Sequence, residues 1–141
     1  MKRIKKRSFK TLKRKAWKAF SEYIRRRDAD YAGRVSCYTC GLRMHWKSAH
    51  AGHAIGGRHH AVLFDSEICR PQCYRCNVPM RGQYPIFAAK LIREYGLEWF
   101  EAKLQGAHRV VKLTNADLEG LIERYQKPYD GRWRVSAPSR G

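Results

Sequence analysis

Residues 71–77 read Pro-Gln-Cys-Tyr-Arg-Cys-Asn, and this stretch contains the second of two C-x-x-C pairs in the chain. A C-x-x-C pair can place two thiolates on one metal ion from a tight turn, and two pairs complete the tetrahedral geometry of structural zinc. The intervening residues 41–72 are long enough to carry two strands and a loop. We therefore predict a structural zinc site formed by Cys37, Cys40, Cys73 and Cys76.

Other uses of these cysteines are less favoured. Disulfide bonds fit poorly, because the basic N-terminus is not followed by the apolar segment of a secretion signal. Two independent redox motifs are also disfavoured, since neither pair lies in a recognisable βαβ unit. The fifth cysteine, Cys69, could compete as a ligand, but the second C-x-x-C pair is better spaced, so we expect Cys69 to be a small buried residue.

Histidines are concentrated between the two cysteine pairs. Hydrolysis of a phosphodiester needs a base that activates water and a cation that stabilises charge on the phosphate and the leaving oxygen. A neutral imidazole suits the first task near neutral pH, and carboxamide, carboxylate or imidazole groups can hold the cation. Asn77, directly after the last zinc cysteine, offers such a carboxamide. The clustered histidines are His45, His50, His53, His59 and His60.

Positive charge is concentrated near the N-terminus. The chain has 141 residues, with 30 Lys and Arg against 12 Asp and Glu, and a formal net charge of +18. Residues 1–27 contain thirteen of these cations and one acid, Glu22. Either nucleic acid or an anionic membrane surface could be the partner, but the Ala-rich apolar positions would insert weakly into a membrane. We favour DNA, because thirteen cations beside one acid repel one another unless phosphates or counterions are near. Solubility or targeting is the alternative use of this charge. The expected DNA contacts are Lys5, Lys6, Arg7, Lys13, Arg14, Lys15, Arg25, Arg26 and Arg27.

Apolar periodicity predicts helices on both sides of the cysteine-rich segment. Apolar residues at a spacing of four predict a basic amphipathic helix from Thr11 to Arg27, after a mobile segment over residues 1–10. In the middle, residues 52–64 (GHAIGGRHHAVLF) predict two short strands joined by a turn that contains Gly-Gly. Later helices are expected over 83–95, over 97–104, and from a cap at Thr114 or Asn115.

These elements predict an α+β fold in three parts. Residues 1–27 form a basic N-terminal arm and helix, residues 28–126 a zinc-containing domain with C-terminal helices, and residues 127–141 a tail. The apolar stripes of the C-terminal helices are interpreted as core, with a dimer interface as the alternative. No apolar run approaches the ~20 residues that span a bilayer, so a cytoplasmic protein is expected.

Several motifs together resemble the phage NinG (Rap) recombination protein family. They are the first C-x-x-C, residues 52–55 (GHAI), residues 56–60 (GGRHH), Phe64-Asp65 and residues 71–77 (PQCYRCN), and the resemblance extends over about residues 8–126. The arrangement is also similar to phage endonuclease VII, in which an asparagine follows the last zinc cysteine. The resemblance implies a ββα-metal (HNH-like) endonuclease core, encoded by a phage and acting in the bacterial host cell.

The resemblance also implies roles for individual residues. His53 would be the general base, and Asn77 would help bind a catalytic Mg²⁺ or Mn²⁺ ion. Gly52 stands where many HNH enzymes carry an acid or a second histidine, so further metal ligands must come from elsewhere. The candidates are His59, His60, Asp65 and Gln83. Arg58 would hold the scissile phosphate or otherwise be an exposed DNA contact.

Three functions are compatible with these observations. The first is a structure-selective endonuclease that cleaves Holliday junctions or other branched DNA, working as a homodimer because resolution needs two cuts. The second is a zinc-knuckle DNA-binding accessory protein without catalysis. The third is a general HNH nicking endonuclease. Substrate preference between junction and linear duplex distinguishes the first from the third, and a second metal near His53 distinguishes both from the second.

If the basic arm binds DNA phosphates, affinity should depend steeply on salt. Contact with six to ten phosphates predicts a ~10³–10⁵-fold loss of affinity between ~50 and ~200 mM salt. Deletion of residues 1–10 should flatten this slope, measured by fluorescence anisotropy on a labelled duplex. An unchanged slope would place the DNA-binding surface on another part of the chain.

Overall fold

A long basic helix is the first element of the computed structural model, which describes residues 5–57 and 60–126. This helix, α1 (Phe9–Arg26), begins where the Ser8 side chain accepts a hydrogen bond from the Thr11 amide at 3.3 Å. The predicted helix is therefore confirmed, but the expectation of a mobile segment through residue 10 is wrong at its end, because the Ser8 cap starts the helix at Phe9. The stripe at spacing four is buried, and its members are Leu12, Ala16, Ala19, Phe20, Tyr23 and Ile24.

Two pairs of short antiparallel strands follow the helix. In the first pair, β1 (Arg34–Ser36) lies beside β2 (Arg43–His45), and a 3₁₀ turn over Trp46–Ser48 leads on to the second pair. There, β3 (His50–His53) lies beside β4 (Cys69–Gln72). His50 is opposite Gln72 and His53 is opposite Cys69. This second pair brings the histidine segment next to the second C-x-x-C pair.

The predicted strand hairpin over residues 52–64 is wrong in its second half. Residues 52 and 53 end β3, but Ala61, Val62 and Leu63 belong to a short helix, α2 (His60–Leu63). Val62 and Leu63 are buried in the core from this helix. A four-residue apolar run does not distinguish a strand from a buried helical turn, and the partner strand of β3 comes later, at β4.

The remaining helices follow the predicted order. They are α3 (Tyr74–Asn77), α4 (Tyr84–Tyr95), α5 (Leu97–Ala107) and α6 (Asn115–Tyr125). Gly96, with φ +94°, ends α4 as expected. Helix α5 extends to Ala107, beyond the predicted end at Leu104. Thr114 caps α6 in a capping box with Asp117, and this confirms the first of the two predicted caps.

An aromatic cluster joins the two ends of the described chain. Phe20 of α1 contacts Phe64 edge-on at 5.6 Å between ring centroids, and it contacts Tyr125 of α6 at 5.2 Å. Leu118 of α6 is buried with Leu12 of α1. The helix of the predicted basic arm therefore shares its core with the elements of residues 28–126. Within the described residues, no helix has the length and apolar character needed to cross a membrane.

A buried amide explains why position 52 is glycine. The Gln72 side chain is fully buried, and its Nε2 donates to Thr39 Oγ1 at 3.1 Å and to the Gly82 carbonyl at 2.9 Å. A Cβ atom on Gly52 would overlap this side chain. Gly52 therefore lets β3 lie against Gln72, and any larger residue would displace the amide from its partners.

Gly52→Ala should destabilise the protein by about 1–3 kcal/mol, the usual cost of forcing an extra group into a packed core. Urea unfolding followed by circular dichroism measures this loss. Gly106→Ala in α5 is the matched control, because a Cβ there meets no atom within 4 Å. Alanine should stabilise that helix by about 0.5–1 kcal/mol. Equal stability of Gly52→Ala and the parent chain would contradict the proposed contact.

Candidate functional site

The four cysteines of the two C-x-x-C pairs meet in one cluster. Their sulfur atoms all lie within 4.8 Å of one another, and Cys40 Sγ and Cys73 Sγ are 3.7 Å apart. Tetrahedral coordination with Zn–S bonds of ~2.3 Å requires sulfurs about 3.8 Å apart. The residues present therefore fit a zinc ion, and the predicted set of four ligands is brought together as expected.

Backbone hydrogen bonds hold the two turns that carry these sulfurs. The Gly41 amide donates to the Cys37 carbonyl at 2.8 Å, and Gly41 has φ +79°, which favours glycine. In the second turn the Asn77 amide donates to the Cys73 carbonyl at 3.0 Å. The Tyr38 amide donates to the Pro71 carbonyl at 2.8 Å and ties the first turn to the end of β4.

The thiols of the cluster have pKa values shifted in opposite directions. Burial raises the pKa of Cys37, but hydrogen bonds from the Thr39 hydroxyl and from nearby backbone amides outweigh it and lower the pKa to about 6. Burial and the neighbouring thiols raise the pKa of Cys76 to about 12. Four adjacent thiolates repel one another, so a divalent cation would be needed to stabilise all of them. Cys69 is buried outside this cluster, as expected.

A cleft of about 390 Å³ includes in its lining Asn77, the residue directly after Cys76 of the cysteine cluster. It brings together His53 at the end of β3 and Asn77 at the end of α3, the two residues that the sequence singled out most strongly. Helix α1 forms one wall. The lining residues are Trp17, Ser21, Arg25, Ala49, His50, Ala51, His53 and Asn77.

The His53 ring contacts a backbone carbonyl and an aromatic ring. Its Nε2 lies 3.0 Å from the Leu63 carbonyl, and its plane stacks on Trp17 with ring centroids 5.7 Å apart and an angle of 17°. A carbonyl can only accept, so Nε2 carries the proton, and in the neutral ring Nδ1 then carries the lone pair. This tautomer is the one that a general base acting through Nδ1 requires.

Asn77 contacts a histidine that the sequence did not single out as a ligand. Asn77 Nδ2 lies 3.1 Å from His50 Nδ1, and the His50 ring meets the Tyr74 ring edge-on at 5.8 Å. His50 is the first residue of β3 and faces Gln72 across the strand pair. The contact between His50 and Asn77 could have been predicted only from the pairing of β3 with the residues before Cys73. Sequence spacing alone does not reveal that pairing.

Arg25 is a cation within the cleft. Its Nε donates to the Ser21 carbonyl at 3.2 Å, and its guanidinium lies 5.3 Å from the centre of the Trp46 ring. Burial lowers the pKa of Arg25, and the nearby Glu22 carboxylate partly opposes this. An arginine guanidinium is not deprotonated in proteins, so the cleft presents a fixed positive group to an anion.

The other predicted DNA contacts divide into outward and inward residues. Arg27 is turned inward, because its guanidinium donates to the Ser66 and Cys69 carbonyls at 2.9 Å each. Arg26 forms an ion pair with Glu22 at 3.0 Å and lies over Trp46. Lys13 is half-buried. The fully outward cations are Lys5, Lys6, Arg7, Arg14 and Lys15.

Three of the predicted metal ligands lie away from the cleft lining. Asp65 Oδ2 forms an ion pair with Lys103 at 2.9 Å. His60 borders a separate depression of about 620 Å³ with Leu104 and Val111. Gln83, with φ +51°, precedes α4. In residues 5–57 and 60–126, the cysteine cluster is the only group of three or more His, Cys, Asp or Glu side chains placed to hold a metal. Arg58 and His59 lie outside the described residues.

The fold and this site define a basic α+β protein with a four-cysteine cluster that could bind zinc. Comparison with protein families matches residues 1–130 to the family described as Bacteriophage Lambda NinG protein. The chain therefore belongs to the NinG family of phage recombination-related proteins. No curated protein and no solved structure matched the chain in the corresponding comparisons.

Loss of one cluster cysteine should remove the metal and the structure around it. We expect Cys73→Ser to bind less than stoichiometric zinc and to unfold at lower temperature, because the remaining thiols can no longer complete the tetrahedral site. Zinc content by mass spectrometry and thermal denaturation test this. Cys69→Ala is the control and should retain zinc, because Cys69 is outside the cluster. Normal zinc content in Cys73→Ser would contradict the assignment.

Proposed function

We propose that the chain is a metal-dependent DNA endonuclease of the HNH type. The observation that carries this proposal is the cleft in which His53, Asn77 and Arg25 lie together. A candidate base, a candidate metal ligand and a fixed cation are the groups that phosphodiester hydrolysis needs. They come from three separate segments, so their meeting is not a consequence of neighbouring sequence positions.

Each residue has a distinct role in this proposal. His53 Nδ1 takes a proton from the water that attacks phosphorus, and the Leu63 carbonyl at Nε2 stabilises the imidazolium that forms. Arg25 binds a non-bridging phosphate oxygen. Asn77 would help hold Mg²⁺ or Mn²⁺, which when bound stabilises negative charge on the phosphate and the departing 3′ oxygen. The bond to that oxygen breaks and the oxygen takes a proton from solvent water, which leaves 5′-phosphate and 3′-hydroxyl ends, while His53 returns its proton to solvent.

The order of elements supports the resemblance to ββα-metal enzymes. Two antiparallel strands, β3 and β4, are followed by the helix α3, and His53 and Asn77 lie on the first strand and on the helix. Asn77 directly follows Cys76, so a zinc ion in the cluster would fix the position of its side chain. Zinc would then be a structural requirement for catalysis without taking part in the reaction.

Charge supports DNA as the substrate. The outer face of α1 and the segment before it carry lysines and arginines, while its inner side forms a wall of the cleft. A DNA backbone bound along this face would be directed towards Arg25 in the cleft. Within this proposal, the narrower substrate is a Holliday junction or other branched DNA in phage recombination, cleaved by a homodimer in the cytoplasm of the bacterial host.

One observation favours a second candidate, a zinc-knuckle DNA-binding accessory protein without catalysis. In the described part of the chain, no carboxylate lines the cleft, and Asp65 is held by Lys103. Most hydrolytic metal sites use carboxylates. The two candidates differ in whether the cleft binds a divalent cation in addition to zinc.

His53→Ala should lose cleavage by ~10²–10⁴-fold, the usual effect of removing a general base. A labelled four-way junction and its linear duplex control are incubated with Mg²⁺ or Mn²⁺, and the products are separated on denaturing gels. His108→Ala is the matched control, because His108 is exposed and lies outside the cleft lining. Zinc content and junction binding should be unchanged in both variants.

The outcomes separate the candidates. Paired cuts in the junction alone, lost in His53→Ala, would support a junction-resolving nuclease. Equal cutting of junction and duplex would keep the nuclease and reject junction selectivity. Tight binding without cleavage by the parent chain would favour the accessory role. Cleavage by His53→Ala at the parent rate would overturn the assignment of the base.

A further inference from the structure

An exposed tyrosine lies at the rim of the cleft. Tyr74 is the first residue of α3 and is 59% exposed, and its ring meets the His50 ring edge-on with 5.8 Å between centroids. His50 is one of the residues that line the cleft. We propose that Tyr74 stacks on an unpaired base of the DNA whose phosphate lies in the cleft. The proposal rests on the proposed nuclease function and deepens it by naming the class of substrate, which is DNA with an unpaired nucleotide beside the cut.

Burial does not account for an aromatic ring at position 74. More than half of the Tyr74 side chain faces solvent, so the ring adds little to the buried apolar surface that stabilises the fold. The turn that carries it is nevertheless well held, because Cys73 and Cys76 belong to the cysteine cluster and the Asn77 amide donates to the Cys73 carbonyl at 3.0 Å. An aromatic ring is therefore presented to solvent from a fixed backbone position.

The charges near this ring suit nucleic acid. Arg75, directly after Tyr74, is exposed, and Arg25 lines the same cleft as His50. In the described part of the chain, no acidic residue lines this cleft. Cations that follow a nucleic-acid backbone, next to an aromatic ring on which a base can stack, are the combination found in proteins that bind single strands.

The position of the ring indicates an unpaired base. Successive bases of a duplex strand are ~3.4 Å apart, so the 5.8 Å between the His50 and Tyr74 rings is shorter than two base steps. A base on Tyr74 would then belong to a nucleotide close to the phosphate in the cleft. Neighbouring base pairs cover both faces of a base within a duplex, and only a base that has left the stack offers a face to an aromatic side chain.

Fluorescence anisotropy of labelled DNA tests this inference without relying on cleavage. The full chain is mixed, without added Mg²⁺ or Mn²⁺, with a duplex or with a fork that has unpaired nucleotides at its branch. Tyr74→Ala should weaken binding to the fork by ~5–150-fold, the range for losing one stacked base, and should leave binding to the duplex unchanged. Tyr74→Phe keeps the ring and should bind both probes as the parent chain does.

Tyr31→Ala is the matched control, because Tyr31 is fully exposed and lies outside the cleft lining. It should bind both probes as the parent does. The salt dependence of fork binding should have the same slope in Tyr74→Ala as in the parent, since a neutral ring replaces no counterion on a phosphate. Zinc content and circular dichroism equal to those of the parent would show that the substitution leaves the cysteine cluster intact.

Photo-crosslinking keeps the test independent of folding defects in Tyr74→Ala. The parent chain is irradiated with a fork that carries 5-iodouracil at an unpaired position of the branch, and the crosslinked peptide is identified by mass spectrometry. We expect the crosslink at Tyr74, and none there when the same base is paired within the duplex. A crosslink at another residue only, or equal weakening of fork and duplex binding by Tyr74→Ala, would overturn the inference. So would loss of self-association in Tyr74→Ala with DNA binding unchanged, because the ring would then be a protein contact.

The failure of this inference can be distinguished from the failure of the proposed function. If Tyr74 crosslinks to the unpaired base but the parent chain cuts no DNA with Mg²⁺ or Mn²⁺, stacking is supported and the nuclease proposal fails. If the parent chain cuts DNA and Tyr74→Ala changes neither fork binding nor the choice of substrate, the nuclease proposal stands and Tyr74 does not stack on a base.

Discussion

The convergence of four cysteine sulfurs is the constraint on which the rest of the site depends. It joins the turn after β1 to the turn after β4, so two small strand pairs that could not be stable alone are held as one unit. Thr39, between the first two cysteines, accepts a hydrogen bond from buried Gln72, which reaches on to the Gly82 carbonyl. The position of β3, and with it both cleft histidines, follows from this packing.

The loop between α2 and β4 has no regular secondary structure and is held by the half-buried Arg27 and the buried Arg70. Arg27 donates to the Ser66 and Cys69 carbonyls, and Arg70 donates to the Glu67 and Cys69 carbonyls and to the Tyr95 hydroxyl. Backbone carbonyls without partners are costly when buried, and these two guanidiniums satisfy several of them. Part of the large positive charge of the chain therefore has a structural role.

Local patterns predicted much of the fold. The cluster could be predicted because two C-x-x-C pairs together supply the four ligands of one zinc ion. The spacing of four predicted α1, and Gly96 and Thr114 marked helix boundaries, because these signals depend on neighbouring residues. Long-range contacts without such a ligand pattern were not accessible in this way. The pairing of β3 with β4 decides that His50 meets Asn77, and the carbonyls around Cys69 decide that Arg27 turns inward. Neither the His50–Asn77 contact nor the orientation of Arg27 follows from the spacing of neighbouring residues in the sequence.

Helix α1 borders three environments, which are the core, the cleft and solvent. One stripe is packed against α6 and the strands, a second side forms the cleft wall through Trp17, Ser21 and Arg25, and the remainder faces water. Few positions on the helix can therefore be substituted without affecting the core or the cleft. Sequence divergence among relatives should concentrate at the outward positions Lys10, Arg14 and Lys18, with a basic character retained there, while the other two sides change slowly.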